Sequence, residues 1–247
     1  MTFKVVIPAR YSSSRLPGKP LIEIDGIPMI IHVARKARLS AAEEVIVATD
    51  DERILQEVTK HNFDAVLTDV DHVSGSDRIL EVAKKKSWDQ DTIIINVQGD
   101  EPMMDPQLIN ALYEGMIKTN SNFITASSKF DNFDDFSDPN TVKVVVNSRG
   151  NALYFSRSMI PHTDSFSAEG YDLENSFHHI GIYGYVLSAL ENFCSFPKSK
   201  LEAIEKLEQL RALDNGMNIR VIFYTGKIFK GIDTLEDLIK VKKLFSS

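Results

Sequence analysis

Thr92-Ile93-Ile94-Ile95-Asn96-Val97-Gln98-Gly99-Asp100-Glu101-Pro102 is the stretch on which the reading of the fold turns. Its first half is a short, nearly continuous β-branched run, the pattern of a strand buried on both faces. Its second half turns polar at once, with a glycine beside a carboxylate. Other apolar runs have the same form. Phe3 to Ile7 leads into a basic loop from Pro8 to Pro20, and Val45 to Ala48 ends at Thr49 and Asp50. Helical patterns separate them over Met29 to Leu39, Glu52 to His61, Asp77 to Lys86 and Pro106 to Thr119, and Ala65 to Leu67 adds a short strand. Strands alternating with helices of this length mark crossover units on a mostly parallel sheet. In such a sheet ligands bind beyond the carboxyl ends of the strands, so the polar ends of these runs are expected to share one site.

The rhythm changes after residue 123. Phe123 to Lys129, Thr141 to Val146, Ala152 to Phe155 and His179 to Val186 read as strands, with an acidic Asp/Phe loop between the first two. The stretch from about 123 to 190 is therefore expected to be a strand-rich subdomain within a single unit spanning 1–247. Leu201 to Asn215 is expected to be one helix, because Leu201, Ile204, Leu207, Leu210 and Leu213 recur and Gly216 follows. Ile219 to Tyr224 reads as a further strand. Thr234 to Phe245 reads as a terminal helix, with Thr234 as its cap ahead of Glu236 and Asp237.

Composition limits the function classes. The 247 residues are 43% hydrophobic and 26% charged, ordinary for a packed globular chain and too apolar for a disordered one. The formal charge of -7 without a basic stripe argues against a nucleic-acid surface. Cys194 is the single cysteine, which excludes an intrachain disulfide framework and a cysteine-rich zinc site. It is expected as a free thiol in a partly buried helix. The opening apolar run is too short for a signal-peptide core, and no run approaches a membrane span, so the expected compartment is the cytoplasm with no membrane insertion.

Four constellations bear on chemistry. Arg10-Tyr11-Ser12-Ser13-Ser14-Arg15-Leu16-Pro17-Gly18-Lys19-Pro20 combines small residues, which let backbone amides approach a phosphate chain, with three cations that offset its charge. It lacks the Walker A spacing. A solvated basic loop is the alternative, and phosphate binding is favoured. Asp100, at the end of a buried strand, has the placement of a ligand for a hard cation such as Mg2+ or of a turn cap. Asp233, in Gly231-Ile232-Asp233-Thr234, offers a second carboxylate for the same ion or a helix cap, and spacing alone does not join the two. In His72-Val73-Ser74-Gly75-Ser76-Asp77-Arg78 the glycine between hydroxyls suits close approach to a base or ribose. The opening of a helix is slightly favoured there. The adjacent His178 and His179 face opposite ways in a strand, so one can sit in the core and the other in a site.

The motifs PARYSSSRLPGKPL (8–21), VATDD (47–51), SGSDR (74–78), NVQGDEP (96–102), ALYFSRSMIP (152–161), HHIGIYGY (178–185), IEKLEQLRAL (204–213) and GIDTLEDL (231–238) occur in this order. With them the chain resembles the 3-deoxy-manno-octulosonate cytidylyltransferases, the CMP-KDO synthetases, over almost its whole length. The resemblance implies a nucleotide-diphospho-sugar transferase-like fold. Its parts are a mostly parallel mononucleotide-binding α/β sheet flanked by helices and a smaller strand-rich region that forms a homodimer. It implies transfer of CMP from CTP to the anomeric hydroxyl of the eight-carbon sugar acid KDO, with release of pyrophosphate, for lipopolysaccharide synthesis. Carried over residue by residue, it implies Arg10, Ser13, Arg15 and Lys19 on the CTP phosphates, and Ser74, Gly75 and Arg78 beside the cytidine. Gln98 would contact nucleotide or sugar. Asp100 and Asp233 would hold Mg2+. Arg157, His179, Tyr183, Glu208 and Gln209 would line the sugar-acid pocket, with Arg157 on the carboxylate and Glu208 and Gln209 on the Leu201–Asn215 helix beside its leucine face. Lys19, Arg15, Asp100 and Asp233 would carry the catalysis.

The chain also departs from the pattern. Many members carry arginines where this chain has His162-Thr163-Asp164 and His178, and proline where it has Leu235. Proline suits an early helical position without being required there. Lost arginines weaken carboxylate recognition, reflect a rearranged loop, or accompany a substrate with its own positive group. The 8-amino analogue of KDO is therefore an alternative substrate. A nucleotide-binding protein without turnover is a further alternative.

Overall fold

The computed structural model describes residues 2–12, 16–162 and 176–245. Its strands are β1 (Phe3–Ala9), β2 (Glu23–Ile24), β3 (Ile27–Pro28), β4 (Glu44–Thr49), β5 (Asp64–Leu67), β6 (Ile93–Asn96), β7 (Phe123–Ser128), β8 (Lys143–Val146), β9 (Ala152–Ser156), β10 (Phe177–Val186) and β11 (Arg220–Phe223). The helices are α1 (Met29–Arg38), α2 (Glu52–Lys60), α3 (Gly75–Lys85), α4 (Pro106–Thr119), α5 (Phe133–Ser137), α6 (Leu187–Ser195), α7 (Lys200–Glu205), α8 (Leu210–Asp214) and α9 (Leu235–Phe245). A 3-10 turn covers Lys19–Leu21.

The main sheet runs β11-β7-β10-β6-β1-β4-β5, with β8 and β9 continuing from β10. The β1–β4, β1–β6, β4–β5 and β7–β11 pairs are parallel. In this sheet the pairings of β10 with β6, β7 and β8, and of β8 with β9, are antiparallel. The fold is thus a mostly parallel sheet flanked by helices with a smaller antiparallel region. The strands of the 123–190 stretch belong to the same sheet as β1. Apolar clusters cover both faces. One gathers Val5, Ile7, Ile95, Ile30 and Leu112; the other gathers Val6, Ile94, Ile79, Tyr185 and Phe193. Burial on both faces is the reason β1 and β6 read as continuous apolar runs.

Local chemistry sets the helix ends. Asp51 caps α2 and Asp105 caps α4, each side chain accepting from a backbone N–H, and Pro106 opens α4 where its missing donor costs nothing. Thr234 caps α9: its hydroxyl accepts from Asp237 N at 3.2 Å, and Asp237 accepts in return from Thr234 N at 2.9 Å. Leu235, in place of proline, is 61% exposed on this first turn, so the substitution stays local. The hairpin β2–β3, absent from the sequence reading, turns on Asp25 and Gly26, both at positive φ as such a tight turn requires.

The expected helix over Leu201 to Asn215 is two helices instead. It stops at Glu205, Lys206 takes a left-handed backbone (φ 55°, ψ 44°), and α8 begins at Leu210. A strict three-residue repeat drifts around a 3.6-residue helix. Ile204 is accordingly 76% exposed, whereas Leu207 and Leu210 are buried. Glu205 fixes the break from outside: its carboxylate accepts from Ser156 Oγ at 2.7 Å and Arg157 N at 2.9 Å. Glu208 and Gln209 therefore sit in a turn, not on a helix beside a leucine face. The short helix α5 is an addition to the sequence reading, whereas α6 is the helix expected around Cys194. α6 carries Cys194 as a half-buried free thiol.

Candidate active site

A cavity of about 990 Å³ opens at the carboxyl ends of β1 and β6. Pro8, Ala9 and Arg10 border it from β1; Gln98, Gly99 and Asp100 from the end of β6; and Ser74, Gly75, Asp77 and Arg78 from the start of α3. Lys19 and Asp233 complete that side, while Lys198, Glu202, Lys206, Glu208 and Arg211 form a wall from the α6–α8 segment.

Asp100 and Asp233 meet there. The Lys19 ammonium lies 2.7 Å from Asp100 Oδ2 and 3.2 Å from Asp233 Oδ1. Three side chains distant in sequence converge because the 3-10 turn delivers Lys19, β6 delivers Asp100, and Ile232 N donates to the Asp100 carbonyl at 2.9 Å, fastening the third segment to the strand end. The carboxylates are partly exposed, so this is a wet, charged cluster and a weak contributor to stability. Glu101 flanks it, and burial, aided by the charge of Asp100, pushes its carboxyl up to about 8. Among the described residues no three His, Cys, Asp or Glu side chains converge as a metal cage.

The start of α3 is both a helix opening and a cavity wall. Ser74 Oγ accepts from Asp77 N at 3.2 Å and donates to Asp77 Oδ2 at 2.8 Å, which leaves Gly75 on the cavity rim. Arg78 is 3% exposed and its guanidinium is engaged by Asp50 Oδ2 at 2.9 Å, Thr68 Oγ1 and the Asp69 carbonyl. Asp50 also accepts from Tyr11 N at 3.3 Å. It thus ties the opening loop to α3 through Arg78. The sequence reading gave Asp50 no role, although its place at the end of β4 was the signal.

The residues expected around the sugar acid divide. Gln98 and Glu208 line the cavity. Gln98 Nε2 donates to the Gly181 carbonyl at 3.4 Å, within the register shift of β10. Glu208 accepts from Arg211 Nη2 at 2.9 Å, and burial raises its pKa against the pull of Ser74 and Arg211. Arg157, His179, Tyr183 and Gln209 lie outside that lining. Arg157 donates from Nε to the Glu205 carbonyl at 2.8 Å and from Nη1 to the Pro139 carbonyl at 3.0 Å. His179 is buried, 3.0 Å from Thr125 Oγ1, with its ring 4.8 Å from Phe155 and 5.6 Å from Tyr183; burial pushes its pKa down to about 3. Burial and the charge of Glu208 raise the Tyr183 phenol. Gln209 is 4% exposed, and its Nε2 is a buried donor without a partner among the described residues. His178 stacks toward Phe130 at 5.6 Å. Ser13, Arg15, Thr163 and Asp164 lie outside the described residues.

This arrangement combines cations that match a triphosphate with paired carboxylates that match a hard metal ion, around space for two substrates. Residues 4–219 match the family model described as cytidylyltransferase. A solved CMP:2-keto-3-deoxy-manno-octonic acid synthetase complexed with CTP is 43% identical, with a TM-score of 0.90, over 100% of this chain and 99% of that one. A cytidylyltransferase from Leptospira borgpetersenii serovar Hardjo-bovis (strain JB197) is 18% identical with a TM-score of 0.63, over 100% of this chain and 87% of that one, a likeness of fold alone. No helix among the described residues is long and apolar enough to cross a membrane.

Proposed function

The chain belongs to the cytidylyltransferase family, and from that premise we propose that it transfers CMP from CTP to the anomeric hydroxyl of KDO, releasing pyrophosphate. The observation that carries this reading is the meeting of Lys19, Asp100 and Asp233 at the strand ends. The sugar hydroxyl oxygen attacks the α-phosphorus in line. A new P–O bond forms, the bond to the α,β-bridging oxygen breaks, and the hydroxyl proton passes to solvent. Arg10, Arg15 and Lys19 pair with the triphosphate and the departing pyrophosphate, and Ser13 contributes a hydroxyl to the same loop. Ser74 and Gly75 border the cytidine, with Arg78 bracing them from beneath.

Asp100 and Asp233 fit Mg2+, which takes few protein carboxylates and completes its oxygen shell with phosphates and water; in this cluster they already share one cation. When bound, the ion supplies charge neutralisation on the phosphoryl oxygens. Gln98 and Glu208 orient the sugar hydroxyls, and Gln209 from the α7–α8 turn and Tyr183 and His179 from β10 support them from behind. The strand-rich 123–190 stretch of this single unit forms the homodimer, and the reaction takes place in the cytoplasm.

The test is pyrophosphate release with CTP or UTP against KDO, 8-amino-KDO, a nine-carbon sugar acid and sugar phosphates. The expected result is turnover with CTP and KDO at the highest kcat/KM. Higher kcat/KM for the 8-amino sugar moves the assignment to that substrate, and nucleotide binding without pyrophosphate release refutes the reaction.

A further inference from the structure

We propose that Lys206, supported by Lys198, is the residue that recognises the carboxylate of the sugar acid, an inference that rests on the proposed reaction. The cations lining the cavity differ in how they are held. Lys19 is engaged by Asp100 and Asp233, Arg78 by Asp50, and Arg211 by Glu202 at 3.1 Å and Glu208 at 2.9 Å. Arg10, Lys198 and Lys206 also line it, and no described acidic residue pairs with any of them. Arg10 belongs to the loop that meets the triphosphate. The other two stand on the α6–α8 wall, apart in sequence from the phosphate set, and give that wall positive charge for a second anion.

Lys206 is a non-glycine residue held left-handed at the break between α7 and α8, a backbone it shares with Asp25, Asn62, Ser87 and Asn120; as the cap of α7 it turns the chain along the cavity wall, and the surroundings decide where that turn falls. The surroundings here are the Glu205 carboxylate, bound to Ser156 and Arg157, and the Glu205 carbonyl, bound to Arg157 Nε. Arg157 therefore holds the turn, and Lys206 meets the anion. The same turn continues into Glu208 on the cavity wall and Gln209 behind it, whose buried Nε2 has no partner among the described residues. A cation and a carboxylate two residues apart, backed by an amide donor, form a short recognition element for an acidic polyol. Lysine reaches the carboxylate as a mobile point charge, with no demand for forked geometry.

The experiment measures steady-state pyrophosphate release by Lys206→Met, Lys206→Gly and Lys206→Arg, with CTP and KDO varied separately. Glycine removes the charge while relieving the left-handed backbone, so this variant keeps the fold if the methionine variant does not. The expected result is a KM for KDO raised about tenfold or more in both uncharged variants, the worth of one hydrogen bond to a charged group, with the KM for CTP unchanged and arginine recovering most of the loss. Inhibition by the C1 carboxamide of KDO gives a second readout: the preference for acid over amide collapses in Lys206→Met. An unchanged KM for KDO, or a KM for CTP that rises in step, overturns the inference and leaves the proposed reaction standing. A wild-type protein inert toward KDO overturns both.

Discussion

Gly99→Ala tests how closely the Asp100 carboxylate depends on the strand end beneath it. A methyl group at this position would lie 2.7 Å from the Pro8 carbonyl oxygen, 3.4 Å from Ala9 Cβ and 3.5 Å from Ile30 Cδ1. The tightest contact is with backbone, so no rotamer change relieves it. The gap must open by about 0.7 Å to reach ordinary van der Waals separation. The strands can move little, because Val97 N donates to the Val6 carbonyl at 3.1 Å just upstream. The shift therefore falls on residues 98–100 and carries Asp100 away from Lys19 and Asp233. Overpacking of this kind costs about 1–3 kcal/mol, and displacement of a reacting group by up to an ångström costs about 10–100-fold in turnover. The assays are thermal melting and kcat for pyrophosphate release. The melting temperature should fall by about 2–12 °C and kcat by at least the lower figure. A variant with wild-type melting and wild-type kcat refutes the argument that Gly99 is required by close approach.

Two further changes follow from the groups behind the cavity. The folded-state pKa of His179, about 3, lies below its ordinary 6.5, so its contribution to stability is full above pH 6.5 and is lost as pH falls toward 3. In that window the unfolded chain binds a proton that the native chain does not, giving a slope of about 1.4 kcal/mol per pH unit. Urea unfolding from pH 7 to pH 4 should show His179→Gln less stable at pH 7 but less sensitive to acid, and parallel pH profiles would contradict this. Glu205→Ala leaves Ser156 Oγ and Arg157 N without their acceptor, which should cost about 2–4 kcal/mol and raise the KM for the sugar acid more than that for CTP. Urea unfolding and the two KM values check it, and an equal effect on both substrates would contradict it.

Most of the parallel half was legible because β1 and β6 are buried on both faces and α2, α3 and α4 carry their own caps. The α4 bounds, Pro106 to Thr119, follow from an Asp-Pro start and Asn120 in the left-handed conformation at its end. The convergence of Asp100 with Asp233 was not legible from spacing. It depends on a backbone bond between residues far apart in sequence, from Ile232 N to the Asp100 carbonyl. The break at Lys206 was hidden because the leucine repeat on its two sides looks continuous, and the interactions that stop α7 come from β9. His179 shows the limit of alternation. The strand pattern separated it from His178, but only the tertiary contacts with Thr125 and Phe155 reveal that it is the core member of the pair.

The central claim is that Asp100 and Asp233 hold a divalent ion at the triphosphate, and it is tested most directly by pyrophosphate release as a function of Mg2+ in the wild type and in Asp233→Asn. The wild type should be inactive after chelation and regain full turnover on Mg2+ addition. Asp233→Asn should remain lower by about a hundredfold or more at saturating Mg2+, as for loss of one electrostatic contact in a transition state. Full turnover by the chelated wild type, or a wild-type rate from Asp233→Asn, would contradict the account.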